Sequence, residues 1–558
     1  MDSHIQFYPV SCLEKVFPDE QPNECYRDFK LTGLKREAIC FQAALRYEKL
    51  PGELCVGPQR KKYSVKIESA VNADISCRQV KLVPSNLPVP TEIDENYLRT
   101  SVGMYPDRLS GLSDGMCYLP IGQWTSLWIE IHTSEETAAG TYPVTVILSD
   151  KKGNEAARFT VELTVINAVL PEMQLIYTQW FHADCLANYY GVPAYSEEHW
   201  RIIENFVNTA VGMGINMILT PVITPPLDTS PKARRTDVQL LDISVENGKY
   251  SFGFSKLKRW VDMCLKCGIE YFEICHLFTQ WGSESCPNIY AEVDGERQLI
   301  FSMNTSAGDG KYKAFLEAML PELIKKLKEW GIAGKCYFHI SDEPSIDHLD
   351  SYCFAKKIVE PFLKEFPIID AVSDFEFYKD GVMQHPICAT DRIEPFLNAG
   401  ISELWAYYCG GQSVGVSNRF FSMPSRRNRV IGIQLYRNSI KGFLQWGYNF
   451  YNSAFSYKQI DPYAVTDADC AFASGDAFSV YPGENGVPEE SITGRVFFLG
   501  LQDLRALQLL ERLKGREYAV DILEKAAKDK VTFKYQPEND RRMLEIREKI
   551  NDEIAEAV

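Results

Sequence analysis

Ser341-Asp342-Glu343-Pro344 follows directly on the apolar run Cys336-Tyr337-Phe338-His339-Ile340. Two adjacent carboxylates at a strand end are placed for acid–base chemistry at the open end of a sheet. If the sheet is a barrel, that is the end at which active sites form. The dipeptide alone carries little, because Asp-Glu recurs at Asp19-Glu20, Asp94-Glu95 and Asp552-Glu553, in polar surroundings that read as solvated charge. Only 342–343 follows a buried-looking strand. With the period of two that a strand imposes, Cys336, Phe338, Ile340 and Asp342 share one face, suited to a covering helix. Tyr337, His339, Ser341 and Glu343 share the other, suited to a barrel interior. Pro344 is expected to hold Glu343 extended and to stop the ladder. Glu343 then projects inward, and Asp342 joins it only if the chain curls. The competing reading is a helix start, with Ser341 or Asp342 as its cap.

Around this segment the chain has two rhythms. Residues 1–168 alternate apolar with polar in short runs bounded by turn residues, such as Tyr63–Ser69, Trp128–His132, Tyr142–Leu148 and Phe159–Ile166, and read as a β-sandwich. From about 170 strand and helix alternate. Candidate strands are Leu175–Phe181, Met217–Val222, Tyr271–Phe278, Cys336–Ile340, Ile368–Ser373, Ile387–Ala389, Leu404–Tyr408 and Gly442–Trp446. Eight such strands predict a (β/α)8 barrel of the TIM type over 169–490. The remainder, 491–558, reads as a helical extension packed on the barrel. The whole is a multidomain chain, all-β and then α/β.

Polar and aromatic residues gather at the expected C-terminal strand ends: Trp180 and His182 on the first, His276 and Trp281 on the third, Asp374 on the fifth, Tyr407 on the seventh, Trp446 and Asn449 on the eighth. One such cluster is ordinary packing; several on one rim suggest a binding mouth. Trp281, Tyr407 and Trp446 could wall a sugar ring, and His182, His276 and Asn449 could bond hydroxyls. His182 and His276 have no nearby ligand partner of the HExxH kind, and Cys264-Leu265-Lys266-Cys267 lacks a second pair of ligands, so no metal and no cofactor are expected.

The chain of 558 residues is too long for one ordinary core. Its net charge of −16 argues against a nucleic-acid partner. No apolar stretch reaches a membrane-spanning length. The segment Met1–Gln6 lacks the basic-then-apolar pattern of a secretory signal. Sixteen cysteines without repeating spacing read as mostly reduced thiols of a cytoplasmic protein, and a monomer or homodimer is the expectation, between which the sequence does not choose.

Taken with Phe338–Pro344, the segments Phe278-Thr279-Gln280-Trp281-Gly282, Leu404–Tyr408, Gly475–Gly483 and Tyr105-Pro106-Asp107-Arg108-Leu109 resemble glycoside hydrolase family 123, the retaining β-N-acetylgalactosaminidases. The resemblance spans most of the chain. It implies a sandwich followed by a (β/α)8 barrel, a glycan substrate with terminal β-linked N-acetylgalactosamine, and hydrolysis assisted by the substrate's own acetamido group. Carried onto this chain, it makes Glu343 the general acid and then the base, and gives Asp342 the acetamido N–H and the developing oxazolinium. That chemistry accounts for adjacent carboxylates. An enzyme with its own nucleophile needs a second carboxyl across the sugar, roughly 5 Å from the acid. Two rival readings stay open: a conventional two-carboxylate glycosidase pairing Glu343 with Asp374 or Asp184, and a non-catalytic carbohydrate-binding barrel. The choice between galactose- and glucose-configured substrates turns on pocket geometry.

Overall fold

The alternating N-terminal runs form two five-stranded sheets in the computed structural model, which describes residues 4–23, 30–48 and 60–558. Met1–Ser3 of the N-terminal segment lie outside the described residues. One sheet runs Ile5–Ser11, Ala38–Tyr47, Trp124–Thr133, Ala73–Ser85, Gly103–Gly111. The other runs Lys30–Lys35, Glu155–Val169, Gly140–Ser149, Arg60–Ser69, Met116–Pro120. Every pair is antiparallel except Lys30–Lys35 with Glu155–Val169. Phe41, Leu45, Leu127 and Ile129 from the first sheet pack with Val144, Val146, Leu148 and Leu163 from the second. Each fully buried aliphatic side chain of this kind contributes about 1.5–3 kcal/mol.

All eight expected barrel strands form: Ile176–Gln179, Met217–Thr220, Tyr271–Ile274, Cys336–Phe338, Ile369–Val372, His385–Ala389, Trp405–Tyr407 and Gly442–Gln445. They are parallel, in the spatial order 4-3-2-1-8-7-6-5. A bridge between Phe338 and Ile368, with the Phe338 N–H donating to the Pro367 carbonyl at 3.0 Å, brings the fourth and fifth strands together and nearly closes the barrel. Helices such as Glu197–Gly212, Ser255–Cys267 and Gly310–Glu329 stand between the strands. The hairpins Asp242–Gly253 and Ile289–Phe301, not anticipated from periodicity, join in a separate four-stranded sheet.

The chain divides into two compact units: residues 1–173, 413–438 and 489–558 in one, and 174–412 and 439–488 in the other. The helical tail, expected to lie on the barrel as a separate extension, therefore belongs with the sandwich. Its first helix, Ile492–Lys514, explains why. Gln502 pairs with both backbone groups of Ala38 at 2.8 Å, Asp503 takes Arg429 and Arg547, and Arg495 reaches Glu130. The same helix crosses Ile431–Arg437 so closely that a Cβ at Gly432 would lie 1.8 Å from the Gly500 carbonyl oxygen. Only glycine permits that approach.

Candidate active site

The fourth barrel strand ends at Phe338, and five residues later the backbone turns over: Glu343 has φ of 45°. Pro344 was expected to keep Glu343 extended. The chain instead takes the left-handed conformation, which costs a non-glycine residue on the order of 1–2 kcal/mol. With this curl in place the charge of Glu343 acts on Asp342. The helix-start reading, with Ser341 or Asp342 as the cap, does not hold. Ser345 and His348 form the capping box of the turn Ile346–His348, and the Asp374 carboxylate accepts the Ile346 N–H at 2.7 Å. Ser341 is tied to the Thr279 carbonyl at 2.7 Å.

Each carboxylate meets neutral donors. Asp342, 4% exposed, accepts from the Gln280 amide at 2.6 Å. Gln280 is itself aimed by the Asp228 backbone N–H, which donates to its Oε1. Glu343 is half-buried and accepts from the Tyr407 hydroxyl at 2.7 Å, with the Cys409 thiol at 3.8 Å. Cys409 is held in turn by Gln412, whose amide donates to Asp391 at 3.0 Å. No guanidinium or ammonium meets either carboxylate among the described contacts. Burial, and then the charge of Glu343, push the Asp342 carboxyl well above the usual range; the Gln280 hydrogen bond opposes this.

The other sequence-singled residues fall into three groups. Tyr407 and Trp281 adjoin the pair. Tyr407 bonds Glu343, and the Trp281 backbone N–H donates to the Asp342 carbonyl at 2.9 Å while its ring stands 43% exposed. Trp446 is half-buried, donating to Asp476 at 3.1 Å and set edge-on to Phe450 and Phe472. His182 and Asn449 are engaged with each other: the Asn449 amide accepts the His182 N–H at 2.9 Å and donates to its carbonyl at 3.0 Å. Arg235 can only donate, so its 3.0 Å contact makes His182 Nδ1 an acceptor and puts the ring proton on Nε2, facing the Trp446 carbonyl. Burial and the Arg235 charge lower His182 to about 3, so it stays neutral. These two residues lock the first strand end to the eighth.

Trp180 and His276 lie inside the barrel, with His339. Glu273 accepts from Thr178 and Trp180 at 2.7 Å and from His339 at 2.6 Å. His339 also donates to Asp370 at 2.9 Å, and Asp370 accepts the Tyr352 hydroxyl at 2.7 Å. Burial works against a charge on His339, but the bonds to Asp370 and Glu273 outweigh it and raise the group to about 9. His276 stacks on it at 4.2 Å, and burial lowers it well below the ordinary histidine value. One nitrogen of His276, one of His339 and an Asp370 oxygen lie within 4.8 Å of one another, a spacing a metal could use. Both ring nitrogens of His339 already face carboxylates, which suits an imidazolium rather than a ligand. Glu273, Asp370, Gln280 and Cys409 escaped sequence reading as site residues. The available signal was a charge inside a short buried strand, at Glu273 in Tyr271–Ile274 and Asp370 in Ile369–Val372.

An almost closed parallel barrel with an acid pair just past the C-terminal end of a strand places the pair on the face where such barrels carry their active sites. Residues 180–510 match the family described as glycoside hydrolase 123, catalytic domain. The chain belongs to glycoside hydrolase family 123. No curated protein sequence matches it. Among solved structures it is similar to a family 123 glycoside hydrolase from Clostridium perfringens, described for glycolipid glycan hydrolysis. The TM-score is 0.72 at 14% identity, over 99% of this chain and 97% of that one. An endo-β-1,4-mannanase from Thermotoga petrophila gives 0.34 at 11% identity over 60% and 77%, and a β-glucuronidase from Bacteroides uniformis gives 0.28 at 9% over 85% and 48%.

Proposed function

We propose that the protein is a retaining exo-glycosidase that removes terminal β-linked N-acetylgalactosamine from glycans, glycosphingolipid oligosaccharides among them, by substrate-assisted catalysis. The observation that carries this reading is the curl at Glu343, after which the charge of Glu343 still acts on Asp342 and each carboxylate is hydrogen-bonded by neutral donors. The carboxylates a conventional mechanism would enlist are otherwise occupied. Asp184 is 1% exposed and bound by Arg235, whose charge and hydrogen bonds outweigh burial and hold it below the usual range. Asp374 caps the turn at Ile346.

In the proposed reaction Asp342 accepts the acetamido N–H, which favours its charged form, so that the proton the pair holds passes to Glu343 and the amide oxygen is sharpened as nucleophile. That oxygen attacks the anomeric carbon as the glycosidic bond breaks, and Glu343 gives its proton to the departing oxygen. The products of this step are an oxazolinium and a free alcohol. Glu343, now a carboxylate, takes a proton from water as the water oxygen attacks the anomeric carbon, and the ring reopens with the β configuration kept. Tyr407 holds Glu343 in place throughout.

The test is hydrolysis of paired p-nitrophenyl β-N-acetylgalactosaminide and β-N-acetylglucosaminide, with the first-formed anomer assigned by NMR. Faster cleavage of the former with the β anomer first is expected, along with strong inhibition by the thiazoline mimic of the cyclised intermediate. An α anomer first, or efficient cleavage of a substrate without the 2-acetamido group, would overturn the mechanism.

A further inference from the structure

Trp281, Phe455 and Tyr457 are 43%, 42% and 62% exposed, in a barrel unit whose other tryptophans are half-buried or buried. Their rings follow one another at 5.8 and 6.1 Å between centroids, each pair set edge to face. Exposed rings are ordinary on mobile loops, but these loops are fastened. The Asp228 carboxylate accepts the Phe455 N–H at 2.9 Å, and its carbonyl accepts the Ser456 hydroxyl at 2.8 Å. The Phe455 carbonyl accepts the Ser230 N–H at 3.0 Å, and the Tyr457 hydroxyl reaches Ser230 Oγ at 3.2 Å. Four non-glycine residues of the ridge and its anchor are left-handed: Asp228, Trp281, Phe455 and Ser456, at φ of 39°, 53°, 56° and 54°. Such strain persists where surroundings over-determine it, and it clusters at ligand clamps. Here the strained backbone holds apolar faces out into water, the reverse of what stability alone would select.

The ridge is also tied to the acid pair. Gln280 donates to Asp342 at 2.6 Å and accepts the N–H of Asp228, the residue that anchors Phe455. The next residue, Trp281, donates its backbone N–H to the Asp342 carbonyl at 2.9 Å. The ridge therefore begins where the reacting bond would sit.

We infer that Trp281, Phe455 and Tyr457 form the subsite for the leaving-group sugar, the pyranose on the far side of the bond that Glu343 protonates. The inference rests on the glycosidase reading and extends it to the substrate's second residue. The C–H face of a pyranose packs on an aromatic face while its hydroxyls stay in water, so a fixed row of exposed rings offers a sugar its apolar face without desolvating the rest. Tyr457 and Ser230 supply hydroxyls at the edge.

The test compares two donors of the same N-acetylgalactosamine: its β-1,3-linked disaccharide with galactose, and its β-fluoride, whose leaving group is one atom. In Phe455→Ala and Tyr457→Ala the ratio of kcat/KM for disaccharide over fluoride should fall about tenfold, the scale of one aromatic contact. A ratio within twofold of wild type in both overturns the subsite. Phe455→Leu, which keeps apolar bulk without a ring face, repeats the measurement if truncation prevents folding. A binding arm separates this inference from the reading beneath it. Methyl β-galactoside, titrated onto Glu343→Gln protein, should show saturation transfer from aromatic protons that the added Phe455→Ala change abolishes. If wild type turns over neither donor, the glycosidase reading fails, and the binding arm alone decides the ridge: transfer lost in the ridge variant supports it, and transfer absent or unchanged overturns it.

Discussion

Glu130 in the sandwich unit and Asp342 in the barrel unit are equally removed from water, at 2% and 4% exposed, yet they are opposite in kind. Glu130 is surrounded by cations and donors: Arg495 at 3.2 Å, Arg78 at 3.0 Å, His132 at 2.7 Å and the Trp128 indole at 3.0 Å. Burial pushes its carboxyl up, but Arg495, the His132 hydrogen bond and Arg78 overcome that and leave it well below the usual range. Asp342 has the same burial with one neutral amide and a second carboxylate beside it, and its carboxyl rises. Burial alone therefore does not set the proton affinity of Glu130 or Asp342; between these two the charge of the partners makes the difference. A fully compensated carboxylate holds a fold together. An uncompensated one is ready to gain a partner, such as an amide N–H brought by substrate.

The comparison breaks most visibly at the pair itself. Asp342→Asn and Glu343→Gln should each lower kcat by roughly 10²–10⁴-fold, the range for a positioned acid or base, with an unfolding midpoint at or above that of wild type. Undiminished turnover in either variant would remove the assignment. Arg495→Ala should do the opposite, costing about 3–5 kcal/mol in urea unfolding because it strands a buried charge, while kcat per folded molecule stays put. A loss under about 1 kcal/mol would make the Glu130 cluster no more than a surface ion pair in effect.

The pH dependence sharpens the contrast. His339 is raised from its ordinary value to about 9, so its stabilisation is complete below about pH 6.5 and is lost as pH rises through about 9. That amounts to about 3 kcal/mol, and the alkaline fall in Tm should flatten in His339→Gln. The two carboxylates should slope oppositely. Glu130, held low, adds stability present above the unfolded carboxylate range and lost on acidification. Asp342, held high, favours folding while protonated and loses that advantage as pH rises. The Tm difference between Asp342→Asn and wild type should accordingly grow in the variant's favour from pH 4 to pH 7; a difference constant with pH would count against the raised carboxyl. The smallest expected effect is Tyr407→Phe. Loss of the hydrogen bond that positions Glu343, about 1.5 kcal/mol, should lower kcat about tenfold without moving Tm by more than a few degrees.

Much of the frame was legible. Every barrel strand lies within or overlaps its expected segment, because parallel strands buried on both faces leave short apolar runs between helical periods. The site was legible in part. The acid pair stood out by following a strand, and Tyr407 and Trp281 by standing at strand ends. The role of Tyr407 was read as an apolar wall, whereas its hydroxyl is what reaches Glu343. His182 and Asn449 resembled hydroxyl binders because each carries a polar side chain near a strand end; in the fold the Asn449 amide is taken up by the His182 backbone, and the His182 ring by Arg235 and the Trp446 carbonyl. Asp94, read as solvated charge, takes both terminal nitrogens of Arg427 at 2.8 and 2.7 Å, from 333 residues away. Pairings at that separation leave no local trace.

By itself the sequence determined the order of the eight barrel strands and the adjacency of two acids at the end of one of them, since periodicity and chain neighbours are local properties. The tertiary structure decided what those acids are. The curl at Glu343 overrode the preference that Pro344 imposes, and Gln280, Tyr407 and Cys409, which bond the pair, come from 62 to 66 residues away along the chain. A carboxyl's proton affinity follows from the water it loses and the charges that replace it, and both are settled only when distant strands meet.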